Sequence, residues 1–218
     1  FEPLTAEDVL AIYEKEKPVG AIVQFGGQTP LNIAQELAAA GVKIIGTSPD
    51  MIDLAEDRDR FRQMMEKLGI PMPESGMAST LDEALAIAAR IGYPLMVRPS
   101  YVLGGRGMED VHDEQMLAEY VKAAVDITPK RPILIDKFLD NAVEAEADAV
   151  ADGTDAFVPA VMEHIELAGI HSGDSACVIP PISIPQEHIE TIRRHTATIA
   201  RELNVVGVMN MQYAIWND

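Results

Sequence analysis

The chain has 218 residues, and its 35 acidic side chains against 17 lysines and arginines give a formal net charge of -18. Such a chain repels a phosphate backbone, so the composition excludes a nucleic-acid binder that works by general basicity. Apolar residues make up 48%, and no apolar run approaches the roughly 20 residues that cross a bilayer, so we expect no membrane association. The single cysteine, Cys177, excludes an internal disulfide, suits a reducing compartment and is predicted to be a packing residue.

The first predicted elements alternate between helix and strand. Thr5 is expected to cap a helix, and residues 20–25 form a short apolar run that predicts a buried strand. A helix over residues 31–40, with Pro30 in its first turn, precedes a second short strand at residues 43–46. Strands joined by single helices and short loops imply a parallel sheet.

One long helix is predicted next. It begins at Ser48 or Asp50, runs to Leu68 and ends at Gly69, because glycine commonly closes a helix in the left-handed conformation. The Pro-rich step at residues 70–73 follows and is a candidate domain boundary.

Helix and strand signals alternate again beyond this step. Thr80 begins a capping box for a helix over residues 81–91, and a strand over residues 93–97 ends on Arg98. Asp152-Gly153 predicts the turn of a hairpin. The other predicted elements are helices at residues 114–125 and 188–203 and strands at residues 132–139, 143–150, 157–165 and 208–215.

Two of these strands carry a polar face. Glu144, Glu146 and Asp148 alternate with alanines on the first, which predicts a solvated face on which one acid could instead hold sugar hydroxyls. On the last strand, methionines, Tyr213 and Ile215 are expected to face a core. Asn210 and Gln212 have the opposite parity and are expected to face a polar space.

The strongest chemical signal is the segment VRPSYVLGGRGM at residues 97–108. An arginine that closes a strand, followed by three glycines within four positions, can present a guanidinium and backbone N–H groups to a polyphosphate. The alternative is a flexible hairpin with solubilising arginines. The segment is neither a Walker loop nor a dinucleotide fingerprint, because no Gly-Lys-Ser/Thr follows and a hairpin rather than a helix comes after it.

Other polar groups have simpler interpretations. Arg58, Arg60 and Arg62 lie among aspartates and predict a solvated helix face with i,i+4 pairs. The loop at residues 171–175 contains His, Ser and Asp, but without a Gly-x-Ser-x-Gly elbow we do not expect a serine nucleophile. One cysteine and five dispersed histidines give no zinc-ligand spacing.

Seven ordered motifs point to a family. They are GGQTPL (26–31), GTSP (46–49), AEDR (55–58), RPSYVLGGR (98–106), MEHIE (162–166), GIHSGDS (169–175) and NMQ (210–212). Together they closely resemble the carbamoyl phosphate synthetase large chains, ATP-grasp enzymes built from two homologous synthetase halves, and the resemblance runs through all 218 residues. Pro30, Tyr101-Val102-Leu103 and His164 are similar to the second half, which phosphorylates carbamate.

The resemblance implies an α/β architecture. Residues 48–218 would be an ATP-grasp domain with a lid subdomain near residues 77–139, and residues 1–47 would be a remnant of a Rossmann-like pre-ATP-grasp domain. The family continues beyond the last strand with a Glu-x-Asn-Pro-Arg segment that completes metal coordination. We therefore expect this chain to be a piece, incomplete at its C-terminal end and severely impaired in phosphoryl transfer by itself.

The resemblance also implies a set of site residues. Arg58 and Arg98 would contact phosphates and act as catalytic residues, and Glu144 would bind ribose hydroxyls. Gln212 would be a ligand of Mg²⁺ or Mn²⁺. The remaining nucleotide contacts would be Gly104 and Gly105 in a mobile loop, the main chain of Lys137 and Leu139 against adenine, and Gly169, Ile170, His171 and Ser172.

The family's reaction is transfer of the γ-phosphoryl group of ATP to carbamate, which gives carbamoyl phosphate and ADP. The implied setting is cytoplasmic, glutamine-dependent synthesis for the pyrimidine and arginine pathways. Its partners would be the other synthetase half and a glutamine amidotransferase small subunit. The alternatives are a nucleotide-binding or structural fragment without activity, or another ATP-grasp ligase acting on a carboxylate such as biotin or D-alanine.

Overall fold

The computed structural model describes residues 2–99, 108–127, 132–166 and 175–216. These residues divide into two compact units. The first contains Phe1–Ile70, Ala145–Glu163 and Cys177–Tyr213, and the second contains Pro71–Glu144, His164–Ala176 and Ala214–Asp218. The first division along the chain, between Ile70 and Pro71, falls at the Pro-rich step noted in the sequence. Each unit is described by itself below.

Helices and strands alternate along most of the described chain. The helices are α1 (Ala6–Glu16), α2 (Gln28–Ala39), α3 (Pro49–Glu56), α4 (Arg58–Leu68), α5 (Leu81–Ile91), α6 (Glu114–Ile127) and α7 (Gln186–Glu202). The strands are β1 (Ser75–Ala78), β2 (Leu95–Pro99), β3 (Glu109–Val111), β4 (Ile133–Lys137), β5 (Val143–Asp152), β6 (Ala156–Phe157), β7 (Val161–His164), β8 (Cys177–Val178) and β9 (Val206–Ile215). None of the described helices has the length and apolar character needed to cross a bilayer.

The N-terminal helix begins where it was predicted. The Thr5 side chain accepts a hydrogen bond from the Asp8 N–H at 3.2 Å and so caps α1. The two strands predicted after it are reduced to one isolated parallel bridge between Ala21 and Ile44. Their parallel direction is confirmed but their length is not. In the first apolar run Val23 is buried, whereas Ile22 and Phe25 are exposed (59% and 76%), so little burial favours a longer strand.

The long helix predicted to reach Leu68 is wrong, because it is two helices. Asp57 has extended backbone angles (φ -75°, ψ 113°) and separates α3 from α4. Its carboxylate accepts a hydrogen bond from the Arg60 N–H at 2.8 Å, which satisfies a helix N-terminus that a continuous helix would not have. Gly69, with φ of +66°, closes α4 as expected.

The sheet of the first unit is organised around β5. This strand pairs antiparallel with β6 and β7 and also pairs with β9. On its other side, β7 pairs with β8. The single strand predicted over residues 157–165 is wrong, because β6 and β7 are separate. Phe157 lies opposite Val150 and Glu163 opposite Ala145, so the register shifts by one residue between them. Pro159 lies in the interruption, and proline cannot donate to a strand ladder.

The core of the first unit lies between helices and the inner face of β9. Met64 and Met65 of α4 pack with Ile199 of α7, and Met209 and Met211 of β9 pack against this cluster. The predicted parity of the last strand is therefore confirmed. Cys177 is exposed, so its predicted packing role is wrong, since it stands at the first position of the short strand β8 rather than in a core.

The second unit is a four-stranded antiparallel sheet in the order β1-β4-β2-β3. Helices α5 and α6 contribute Ala84 and Leu117 to a core that also contains Leu95, Val97 and Ile135, all fully buried. This core packs beside the paired strands β2 and β4. Arg98 lies on β2, and Asp136 and Lys137 lie on β4.

The predicted cap of α5 gives a stability test. The Thr80 hydroxyl accepts a hydrogen bond from the Glu83 N–H at 3.2 Å. We expect Thr80→Ala to lower the free energy of unfolding by about 1 kcal/mol, because one N–H group at the helix N-terminus loses its acceptor. Urea denaturation of the two chains measures this difference. Ser79→Ala, at the neighbouring position outside the helix, is the matched control, and an equal effect of both variants would contradict the assignment of the cap.

Candidate active site

Arg98 is fixed within the sheet of the second unit. It lies near the end of β2, and its Nη2 atom is 3.3 Å from Oδ2 of Asp136 on β4. Its Nε atom is buried and has no hydrogen-bond partner among the described residues. Burial raises the pKa of the Asp136 carboxyl above its ordinary value, and the positive charge of Arg98 offsets part of that rise. The guanidinium is thus held in place while a third of the side chain stays exposed.

The ammonium group of Lys137 is hydrogen-bonded within the protein rather than exposed to a ligand. Its Nζ donates to the carbonyl oxygens of Gly92 and Tyr93, both at 3.0 Å, and so ties the end of β4 to the turn before β2. The backbone N–H groups of Lys137 and Phe138 donate to the carbonyls of Glu74 and Pro94. Within the described chain the next N–H, that of half-buried Leu139, has no such partner. The main chain at this position can therefore donate to a ligand.

Glu144 is supported by a buried histidine of the same unit. The Oε2 atom of Glu144 lies 3.3 Å from Nδ1 of His164, whose side chain is 1% exposed, while the Glu144 side chain is 25% exposed. The Glu144 carboxylate is a quarter exposed, so its oxygens keep lone pairs for a partner on that side. Glu144 can therefore accept hydrogen bonds from hydroxyl groups.

Two side-chain pairs join β5 and β9 in the first unit. Gln212 Nε2 donates to Glu146 Oε1 at 2.9 Å, and Asn210 Nδ2 donates to Asp148 Oδ1, also at 2.9 Å. A cavity of about 310 Å³ lies at this strand pair, next to Asp148 and Asn210. Glu146 is buried, so the predicted solvated face of β5 is wrong at this position. The polar side chains of β5 therefore hydrogen-bond with those of β9.

The three arginines near α4 have different surroundings. Arg62 makes the predicted i,i+4 pair with Glu66, at 2.6 Å. Arg60 instead binds Asp50 and Asp53 of the preceding helix. Arg58 is exposed and is the first residue of α4, where the helix dipole disfavours a positive charge.

Half of the predicted nucleotide contacts cannot be placed. Gly104 and Gly105, and Gly169, Ile170, His171 and Ser172, lie outside the described residues. The structure brings Arg98, Lys137, Leu139 and Glu144 into the second unit, whereas Arg58 and Gln212 belong to the first. Analysis of the sequence missed Glu146 as the partner of Gln212. The signal was present in the alternating polar positions of the two strands, but their pairing was not predicted.

A second buried acid in the first unit, Glu163, is hydrogen-bonded to the loop that contains Ile182 and Ser183. Glu163 accepts hydrogen bonds from the N–H groups of Ile182 and Ser183, at 2.6 and 2.8 Å, and from the Ser183 hydroxyl. Burial acts to raise the pKa of Glu163, but these hydrogen bonds outweigh it, so the pKa lies below its ordinary value. The ionised form is therefore the one that stabilises the fold.

This lowered pKa predicts a pH-dependent stability. We expect Glu163→Gln to reduce the free energy of unfolding by about 2 kcal/mol at neutral pH, because hydrogen bonds to a charged acceptor are replaced by weaker ones to a neutral amide. A lowered pKa stabilises above the unfolded-state value, and the gain disappears as pH falls through the folded-state value. The difference between the two chains should therefore shrink in acid. Urea titrations at pH 7 and below pH 4 measure it, and a difference that grew in acid would contradict the assignment.

Comparison with known proteins identifies the family. The model of the carbamoyl-phosphate synthase L chain ATP binding domain matches residues 57–218, and that of the carbamoyl phosphate synthase preATP-grasp domain matches residues 1–54. The chain is 58% identical over 218 residues to the carbamoyl phosphate synthase large chain of Methanothermobacter thermautotrophicus, covering 100% of this chain and 21% of the relative. It is 55% identical over 219 residues to the C-terminal section of the large chain of Methanocaldococcus jannaschii, covering 99% and 35%.

The fold has relatives among solved structures as well. The biotin carboxylase domain of the 2-oxoglutarate carboxylase of Hydrogenobacter thermophilus, a complex with MgADP and bicarbonate, matches with a TM-score of 0.77 at 20% identity. The match covers 99% of this chain and 50% of that structure. At this identity the likeness concerns the fold alone, and the predicted α/β ATP-grasp fold is confirmed. The chain belongs to the family of carbamoyl phosphate synthase large chains.

Proposed function

We propose that this chain is part of the carbamate-phosphorylating half of a carbamoyl phosphate synthase large chain. It would bind ATP with Mg²⁺ and direct the γ-phosphoryl group to carbamate, giving carbamoyl phosphate and ADP. The observation that carries the proposal is the similarity to large chains over the whole length of the chain. Because the chain spans about a fifth of such relatives, the activity is proposed for the complete large chain. The match to a relative described as a C-terminal section supports the second half.

The geometry of the second unit supports three of the proposed nucleotide contacts. Arg98 would bind a phosphate, because its guanidinium is held by Asp136 and its exposed part can form charge-assisted hydrogen bonds. The N–H of Leu139 would donate to the adenine edge. Glu144, supported by His164, would accept hydrogen bonds from ribose hydroxyls. Arg58, an exposed residue at the start of α4, would add a second phosphate contact.

The donor set at Gln212 fits a hard divalent cation. The amide Nε2 of Gln212 donates to Glu146, which leaves the amide oxygen at the other end of the group. Mg²⁺ prefers oxygen ligands, and an amide oxygen is one of them. When bound, Mg²⁺ supplies charge neutralisation at the phosphates. The solved biotin carboxylase domain with MgADP supports Mg²⁺ as a candidate ion.

Phosphoryl transfer requires the protein mainly to position the reactants and to neutralise negative charge. The arginines would stabilise the negative charge of the transferred phosphoryl group, and the ribose and adenine contacts would hold the nucleotide in line with carbamate. No side-chain nucleophile is required. We further propose that the complete enzyme acts with its other synthetase half and a glutamine amidotransferase subunit, in the pathways to pyrimidines and arginine.

The reverse reaction tests the proposed function. The full-length large chain, given carbamoyl phosphate and MgADP, should form ATP, which luciferase measures continuously. ADP release from ATP should not increase when biotin or D-alanine is added. ATP formation no faster than in the enzyme-free control, or stimulation by either carboxylate, would overturn the proposal in favour of another ligase or a binding module.

A further inference from the structure

Glu146 places a buried carboxylate against the amide of Gln212. Glu146 is 9% exposed, and its Oε1 accepts the hydrogen bond from Gln212 Nε2 at 2.9 Å. Both residues belong to the first unit, on the paired strands β5 and β9. A glutamate is ordinarily exposed to solvent, so the burial of Glu146 is unusual.

The carboxylate determines which way the amide points. An ionised carboxylate only accepts hydrogen bonds, whereas a glutamine amide has a donating NH₂ end and an accepting oxygen end. In the observed hydrogen bond the NH₂ end of Gln212 faces Glu146, so the amide oxygen faces away from it. A glutamine without this acceptor could rotate its amide by half a turn and present NH₂ groups to a cation instead of an oxygen. Such a rotated amide cannot serve as a ligand.

We infer that Glu146 is a positioning residue for the divalent cation and acts through Gln212. This inference rests on the proposed function, in which Gln212 is a metal ligand. Glu146 raises cation affinity by holding the amide oxygen of Gln212 in the coordinating orientation. Groups that orient a metal ligand in this way typically contribute ten- to 100-fold in affinity.

The neighbouring pair supplies a matched control. Asp148 accepts from Asn210 at the same distance of 2.9 Å, on the same two strands and two residues away. Asp148 is exposed, and Asn210 is not a predicted ligand. A variant of Asp148 therefore removes a similar carboxylate and hydrogen bond without disturbing the amide of Gln212.

The experiment measures cation binding directly. Mn²⁺ is titrated into the full-length large chain in the presence of ADP, and free Mn²⁺ is read from its electron paramagnetic resonance signal. Glu146→Leu, which replaces the acid by an apolar side chain of similar size, should weaken this half's Mn²⁺ affinity about tenfold. Glu146→Gln keeps an acceptor oxygen and should recover most of the affinity. Asp148→Asn should stay within about twofold of the unchanged chain, since an exposed pair contributes little.

The double variant separates the two proposals. If Glu146 acts through Gln212, Glu146→Leu should cause no further loss of Mn²⁺ affinity in a chain that already carries Gln212→Ala. A further loss of similar size would overturn the inference and make Glu146 a ligand itself. If Gln212→Ala weakens Mn²⁺ binding but Glu146→Leu does not, the inference fails while the proposed ligand stands. If Gln212→Ala has no effect, the proposed metal site itself fails. Equal thermal unfolding of the variants shows that each affinity belongs to a folded chain.

Discussion

Replacing Arg98 by alanine in the full-length large chain should weaken ATP binding at this half by about 1.5–3 kcal/mol, which is roughly ten- to 150-fold in affinity. The reason is the loss of a charge-assisted hydrogen bond to a phosphate oxygen from a guanidinium that Asp136 already holds in place. Binding of ATP and of adenosine can be compared by isothermal titration. The loss should affect ATP and spare adenosine, which has no phosphate.

The control for Arg98 lies in the same unit. Arg90 binds Glu74 and the Ser75 carbonyl on the surface, so Arg90→Ala removes an equal charge from a position with no proposed ligand. Because Arg98→Ala also removes the positive charge beside half-buried Asp136, the double variant with Asp136→Asn distinguishes lost stability from lost binding. Unchanged ATP affinity in both Arg98 variants would remove Arg98 from the site.

Glu144→Ala should abolish the preference for ATP over 2′,3′-dideoxyATP. The carboxylate would accept hydrogen bonds from the ribose hydroxyls, and loss of hydrogen bonds to a charged acceptor costs about 1.5–3 kcal/mol each. Affinity for ATP should therefore fall at least tenfold, while that for the dideoxy nucleotide should change little. Competition binding with the two nucleotides measures the ratio.

Asp148→Ala is the control for Glu144. Both acids are on β5 and share a strand face, but Asp148 binds Asn210 and has no proposed sugar contact. It should leave the nucleotide preference unchanged. A preference that survives Glu144→Ala, or that Asp148→Ala also abolishes, would refute the assignment of the ribose contact.

Much of the fold could be predicted because its signals are local. Thr80 before an acidic turn caps α5, and Gly69 ends α4, since each satisfies helix termini within a few residues. The alternation of Met209 and Met211 with Asn210 and Gln212 correctly separates the two faces of β9. Such patterns depend on the chain near each residue and on whether one face is covered.

The predictions that were wrong concern residues whose local sequence allows two structures. Asp57 can lie inside a helix or cap one, and its bond to the Arg60 N–H decides for the cap. Pro159 interrupts an otherwise apolar strand because it has no N–H to donate. Cys177 is exposed although its neighbours are apolar, because burial depends on what packs over it.

The site is harder to predict than the elements. Parity places Gln212 and Glu146 on polar faces of their strands, but only the pairing of β5 with β9 brings them together across 66 residues. The same holds for Glu144 and His164, which meet as a carboxylate and a buried imidazole. Individual residue roles could be proposed from the motifs, whereas the partners that orient them depend on tertiary contacts.

We propose that the complete large chain transfers a phosphoryl group between ATP and carbamate and that Arg58 and Arg98 of this segment bind the phosphates. The most direct measurement is ATP formation from carbamoyl phosphate and MgADP by the full-length large chain, with and without Arg58→Ala and Arg98→Ala together. The account predicts that the double variant, folded as judged by thermal unfolding, loses at least about 100-fold in rate, since two phosphate contacts are removed. A rate equal to that of the unchanged enzyme would contradict it.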